Sequence, residues 1–131
     1  MLIPMADVPR WYADRKPKDA IAVSHGDDTL TWEQLERGAN RRARAFAAKG
    51  VKAGDFVAIG LPNGNSFFET SFAVWKLGAT PTSLSWRLPR GEAAAVLDIL
   101  RPRWWSAARP TGTRRIRCRR ILRRKASPTN R

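Results

Sequence analysis

The amino-acid sequence predicts an α/β fold for its first hundred residues, and three observations carry this prediction. Short apolar segments rich in β-branched residues alternate with longer segments whose apolar residues recur every three or four positions. Glycines and turn sequences separate the two kinds of segment. A Thr-x-x-Gln sequence, typical of a helix start, precedes the first long helical segment. Strands that alternate with helices favour a parallel sheet with crossover helices.

The N-terminal part is predicted to contain a short helix followed by a β-hairpin. The helix spans residues 9–15 and begins at a proline, a residue that suits the first helical turn. The hairpin joins an apolar segment at 20–24 to an extended segment at 29–31. Between them stands His-Gly-Asp-Asp, a sequence typical of turns, with His25 as its first residue.

A long helix is predicted after the hairpin. Thr31 and Gln34 are spaced as a capping box, in which each side chain pairs with a free backbone N–H of the first helical turn. Gly50 marks its end, because glycine readily adopts the left-handed conformation that closes a helix. The predicted apolar face comprises Leu35, Ala39, Arg42 or Ala43, Phe46 and Ala47.

Two strands and two more helices complete the predicted pattern. The strand at 56–61 is almost wholly apolar, as expected for a strand covered on both faces. Ser66 and Glu69 predict a second capping box, at the start of an apolar helix that Gly78 ends. A short strand at 80–84 follows. The last predicted helix spans 90–100 and carries Ala93, Val96, Leu97 and Leu100 on one side.

The distribution of charge divides the chain at Pro102. Residues 1–102 contain 14 Lys and Arg against 11 Asp and Glu, a net charge of +3. Residues 103–131 contain 11 Lys and Arg and no acidic residue, so most of the chain's +14 lies there. We therefore predict a folded unit at 1–102 and an irregular, disordered, Arg-rich tail at 103–131.

Several classes of protein are disfavoured by composition and motif content. No apolar run approaches the roughly 18 residues of a membrane span. The single cysteine, Cys118, permits no internal disulfide, which favours a reducing compartment and predicts a cytoplasmic protein. His25 has no cluster of partners for a metal site, and no carboxylate pair suggests acid–base catalysis. The segment 61–66 is expected to be a plain strand–helix turn rather than an anion site.

Several segments between residues 30 and 92 together match a known pattern. They are LTWEQL at 30–35, Asn40, GVKAGDFVA at 50–58, LPN at 61–63, FF at 67–68 and AVWKLGATP at 73–81. This part of the chain resembles the N-terminal region of the AMP-forming acyl-CoA synthetases, within the adenylate-forming ligases. The resemblance implies a partial N-terminal subdomain of the AMP-binding synthetase fold.

The resemblance implies a chemistry that this chain contains only in part. The family forms an acyl-adenylate from a carboxylic acid and ATP, then transfers the acyl group to coenzyme A; ATP, magnesium and coenzyme A are implied for full-length members. Its phosphate loop, its aromatic-Gly-x-Thr-Glu segment, its ribose-binding Asp and its C-terminal lysine do not occur here. We therefore expect a fragment that is inactive alone, with no catalytic residue, no metal ligand and no cofactor of its own.

One site residue is carried over from the resemblance. In relatives that form acyl-CoA and have an arginine matching Arg87, that residue is placed to meet the coenzyme A nucleotide. A guanidinium suits phosphate by its charge and its forked geometry. The alternative is an exposed or packing arginine without a ligand. Many members have Asn-Pro after this strand, whereas this chain has Ser85-Trp86.

The basic tail has two interpretations. In the first, the chain is a small α/β module whose arginines bind nucleic acid or an anionic surface, with Trp104 and Trp105 stacking on bases. In the second, the tail is out of frame: with each codon shifted by one base, residues 103–108 can be rewritten as Ala-Leu-Val-Val-Gly-Gly, an apolar strand. Trp105 must then become valine, as must Ser106 if its codon is TCN. A separate chain that supplies the missing part is a third possibility.

Overall fold

The computed structural model describes residues 1–102, 104–107 and 117–120. A 3-10 turn at Met5–Asp7 precedes the regular elements. In chain order these are α1 Val8–Ala13, β1 Ile21–His25, β2 Asp28–Thr31, α2 Trp32–Ala48, β3 Phe56–Gly60, α3 Asn65–Lys76, β4 Thr80–Ser83, α4 Arg90–Leu100, β5 Trp104–Ala107 and β6 Arg117–Arg120. The α/β fold predicted from the sequence is confirmed.

The described strands form two sheets. Strands β1 and β2 pair antiparallel as the predicted hairpin, with His25 opposite Asp28. The larger sheet has the order β4-β3-β5-β6. Strand β3 is parallel to both β4 and β5, whereas β6 runs antiparallel to β5. The predicted parallel sheet is therefore confirmed, with β3 between two neighbours.

The region beyond Pro102 contains two strands that were not predicted from the in-frame sequence. Strand β5 pairs with β3 along its whole length, from Val57 opposite Trp104 to Gly60 opposite Ala107. Composition misled here because a backbone ladder needs only N–H and C=O groups, which arginine-rich segments supply as well as any other. Residues 103, 108–116 and 121–131 lie outside the described residues, so disorder of the tail stays a prediction.

Helix α2 begins and ends as its sequence indicates. The Gln34 N–H donates to Thr31 Oγ1 at 3.2 Å, and the Thr31 N–H donates to Gln34 Oε1 at 2.8 Å, which completes the capping box. Gly50 follows the C-cap with φ of 86°. The buried face consists of Leu35, Gly38, Ala39, Ala43 and Phe46. Ala47, predicted on this face, is instead exposed.

The second predicted capping box is wrong. Helix α3 begins at Asn65 with Gly64 as its N-cap, and no side chain caps it. Gly64 has φ of 158° and ψ of −176°, a conformation that residues with a Cβ atom rarely adopt. Ser66 therefore lies inside the helix. Glu69 does not reach back to the helix start, because its carboxylate pairs with Arg42 of α2.

Helices α2 and α3 cover one face of the larger sheet. One core cluster joins both helices to the sheet through Ala43, Phe46, Val51, Val57, Ala73, Val74, Ala79 and Trp104. A second cluster of Leu35, Ala39 and Phe72 lies under the hairpin and α1. Helix α4 has no buried residue, but its predicted apolar face contains its least exposed side chains.

Candidate functional site

A cavity of about 670 Å³ opens at the carboxyl ends of β3 and β4. Residues 61–63, which follow β3, form one wall, and residues 83–87, which end and follow β4, form another. His25, at the end of β1, and Phe67 of α3 complete the lining. Its volume lies within the range of roughly 300–1,000 Å³ typical of small-molecule sites.

The topology of the sheet explains why a cavity forms here. From β3 the chain passes through α3 to β4 on one side, and from β4 it passes through α4 to β5 on the other side of β3. Right-handed crossovers in opposite directions place the two helices on opposite faces of the sheet. The two loops that leave β3 and β4 therefore diverge, and such a switch point is where open α/β sheets bind ligands.

The polar side chains that line the cavity suit an anion. Arg87 and His25 are the basic residues among the described lining residues, and none of those residues is acidic. Asn63, Ser83 and Ser85 add neutral hydrogen-bonding groups. A cavity with a guanidinium and no carboxylate favours a negatively charged ligand, because nothing in its wall opposes that charge.

The loop that carries Arg87 is held close to β3. Leu84 is buried, and its N–H donates to the Ile59 carbonyl at 2.9 Å. The Arg87 N–H donates to Ser85 Oγ at 3.4 Å. The Arg87 guanidinium lies over the Trp86 ring, with Cζ 4.9 Å from the ring centroid. The tryptophan orients the guanidinium while half of the indole remains exposed.

His25 reaches the cavity through tertiary packing that no local pattern showed. It was predicted to be a turn residue without a site, and it lies at the end of β1, beside the start of α3. A Cβ atom at position 64 would lie 3.9 Å from Cγ and Nδ1 of His25, so the imidazole packs against Gly64. From the sequence, the loops after β3 and β4 could be predicted to lie together, because the carboxyl ends of parallel strands meet at one edge of a sheet. That rule does not predict that the β1–β2 hairpin lies beside them.

Other kinds of site find no support in the described residues. No group of three His, Cys, Asp or Glu side chains in them comes together as metal ligands. The helices among them are too short or too polar to cross a membrane. Trp104, proposed from the sequence to stack on bases, is buried in the core beneath α2 and α3; the Trp105 side chain lies outside the description.

The fold matches that of the N-terminal subdomain of solved adenylation-domain structures. The solved N-terminal subdomain of Klebsiella oxytoca NpsA superposes with a TM-score of 0.75 over 85% of this chain and 29% of that one, at 20% identity. At that identity the likeness shows the fold. The sequence match goes further: this chain belongs to the family of AMP-binding enzymes, which matches residues 9–110.

Curated relatives are much longer than this chain. It is 34% identical over 82 residues to a putative acyl–CoA ligase, YdaB, of Bacillus subtilis, which covers 63% of this chain and 16% of that protein. It is 40% identical over 74 residues to a feruloyl-CoA synthase of an Amycolatopsis species, covering 56% of this chain and 15% of that protein. The chain thus spans about a sixth of the length of each of these two relatives.

The described residues fit one of the groups that the family implies. A phosphate of coenzyme A suits the cavity at Arg87, because the wall is cationic and lacks acidic groups. Magnesium does not suit it, since that ion is held by carboxylate oxygens, which the described lining residues do not offer.

Proposed function

We propose that this chain is a piece of an ATP-dependent, AMP-forming acid–CoA ligase and that Arg87 contacts a phosphate of coenzyme A. The observation that carries this proposal is the position of Arg87 in a cavity without acidic groups, at the switch point of the sheet. The parent enzyme would activate a fatty or other carboxylic acid. The single cysteine supports a cytoplasmic location.

The first test compares coenzyme A with dephospho-coenzyme A, which lacks the 3′-phosphate. If Arg87 binds that phosphate, the full chain prefers coenzyme A, and Arg87→Gln removes the preference. Arg90→Gln is the matched control, because Arg90 is exposed at the start of α4 and does not line the cavity. Equal preference in wild type and Arg87→Gln would exclude the proposed contact.

The second part of the proposal is that the chain does not catalyse adenylation by itself. The motifs that hold ATP, its magnesium ion and the ribose in this family do not occur in the sequence. We expect no ATP–pyrophosphate exchange above background with any carboxylic acid, under conditions in which a full-length relative turns over. Exchange that depends on added acid would overturn this part.

We further propose that residues from about 103 onward are encoded out of frame. Ser106 is fully buried and its Oγ has no hydrogen-bond partner, and Trp104 Nε1 is likewise buried and unpaired. Buried polar groups are normally paired, so these two side chains fit poorly into a strand whose backbone pairs well. The shifted frame allows leucine in place of Trp104, and it places valine at position 106 if the Ser106 codon is TCN.

The nucleotide sequence tests the frame directly. We expect the shifted frame to continue without a stop codon and to encode a Ser/Thr/Gly-rich phosphate loop downstream. An early stop codon in that frame, or the absence of such a loop, would show that the tail is in frame. The alternative, a separate chain that supplies the remainder of the enzyme, predicts that co-expression of that chain restores exchange activity.

A further inference from the structure

We propose that Trp86 and His25 belong to the nucleotide site proposed at Arg87, with Trp86 stacking on the base and His25 contacting a phosphate. The inference rests on the proposed function in placing a phosphate-bearing ligand in this cavity. It assigns two residues that neither the resemblance nor the comparisons identify. Both are exposed side chains on its wall, so neither has a role in the core.

Trp86 has the position and the exposure of a stacking platform. It lines the cavity, and 51% of it is exposed, so its ring is accessible to a ligand in the cavity. The Arg87 guanidinium lies over its ring and thereby restricts its orientation. A base that stacks on the indole therefore brings its ribose phosphates close to a cation.

His25 supplies a second donor on another wall. It belongs to the hairpin, whereas Arg87 belongs to the loop after β4, and both line the same cavity. Two donors on different walls hold a phosphate from two directions, which one arginine cannot do alone. Asp27 and Asp28 share the hairpin turn with His25 but do not line the cavity.

The cavity also matches such a ligand in polarity. Leu61, Pro62, Phe67 and Leu84 give apolar surface for a base, and the serines and Asn63 give hydrogen-bonding groups for a ribose. The wall thus offers polar and apolar surface in comparable shares, as a nucleoside phosphate does. A bare inorganic anion would leave the apolar part of the wall uncovered.

The test uses three ligands with the full chain: adenosine 3′,5′-bisphosphate, adenosine and inorganic phosphate, titrated by calorimetry. We expect the bisphosphate to bind most tightly, because it uses both the indole and the basic side chains. Trp86→Ala should weaken both adenosine-containing ligands by at least about fivefold. It should weaken inorganic phosphate less, because phosphate loses only the orientation that the indole gives to Arg87. His25→Ala should weaken the two phosphate-bearing ligands and leave adenosine unchanged.

Two matched variants separate these effects from non-specific ones. Phe68→Ala removes an exposed aromatic ring that does not line the cavity, and Arg90→Ala removes an exposed cation outside it. Neither should change the affinity for any of the three ligands. The tail attracts phosphate electrostatically in every variant, so only differences between variants count. Thermal unfolding of each variant shows that the fold is retained.

The outcomes distinguish this inference from the proposed function. Loss of bisphosphate binding in Arg87→Ala, with Trp86→Ala and His25→Ala as tight as wild type, would leave the proposed function standing and overturn the inference. Losses in Trp86→Ala and His25→Ala but not in Arg87→Ala would support the inference and exclude the Arg87 contact. Absence of bisphosphate binding to the wild-type chain, or equal effects of Trp86→Ala and Phe68→Ala, would also overturn it.

Discussion

The carboxylate of Glu69 occupies the space that a side chain at Gly38 would need. A Cβ atom at position 38 would collide with Oε1 and Cδ of Glu69. Glu69 cannot simply swing away, because Arg42 Nε donates to its Oε2 at 2.9 Å and its side chain is 11% exposed. Helices α2 and α3 therefore approach closely at a glycine and are joined there by an ion pair.

Gly38→Ala should destabilise the fold by about 1–3 kcal/mol, because the methyl group forces Glu69 off Arg42. Helix propensity alone predicts the opposite, a gain of roughly 1 kcal/mol for alanine over glycine. Gly91→Ala in α4 is the matched control, since nothing lies within 4 Å of its added Cβ. Chemical denaturation measures both; stabilisation by Gly38→Ala would contradict the predicted collision.

Lys76→Met should lower the free energy of unfolding by about 1.5–3 kcal/mol. Lys76 Nζ lies 3.0 Å from Oε1 and 2.9 Å from Oε2 of Glu36, and both side chains are largely buried. The variant leaves that carboxylate without its cation. Arg37→Met, which removes an exposed pair with Glu33, should change stability by less than about 1 kcal/mol. Similar losses of unfolding free energy in the two variants would show that burial of the Lys76–Glu36 pair does not increase its contribution to stability.

Ser106→Val should stabilise the chain by about 1–3 kcal/mol, since it removes a buried hydroxyl that has no partner. The shifted frame encodes the same residue at this position if the Ser106 codon is TCN, so the variant tests the packing that this frame predicts. Ser24→Val, at an exposed position of β1, provides the comparison and should change stability little. A loss of stability in Ser106→Val alone would show that the serine suits its surroundings.

Thr31→Ala should cost about 1 kcal/mol, because it leaves the Gln34 N–H without its acceptor at the start of α2. Ser66→Ala should cost less than about 0.5 kcal/mol, because Ser66 lies inside α3 and caps nothing. Thermal unfolding followed by circular dichroism compares the two variants. Equal losses would contradict this prediction, because Ser66 Oγ accepts only a long hydrogen bond, at 3.4 Å from Arg42 Nη2.

Sequence patterns predicted helix starts and ends correctly where the residues involved contact each other within one helical turn. The box at Thr31 and the glycine at the end of α2 involve neighbours in sequence, so their spacing sufficed. The false box at Ser66 has the same spacing. It fails because Glu69 finds Arg42, 27 residues away, and no local pattern contains that contact.

The candidate site was predictable in one part only. Arg87 came from a resemblance, and its loop lies where the carboxyl ends of parallel strands converge. His25 comes to the same cavity because the hairpin packs on α2 and α3, and this packing depends on many weak contacts. Trp86 was visible in sequence as a departure from its family, but its exposure on the cavity wall was not.

The parallel pairing of β3 with β5 also sets the order in which the sheet can form. Strand β4 reaches β3 through one helix, whereas Ser106 must return to Ile59 after both α3 and α4 have been made. A contact that closes so long a loop forms late, because chain entropy opposes it until other structure is in place. During synthesis, one edge of β3 therefore stays unpaired until Ala107 has left the ribosome. That is the interval in which the chain most needs a chaperone.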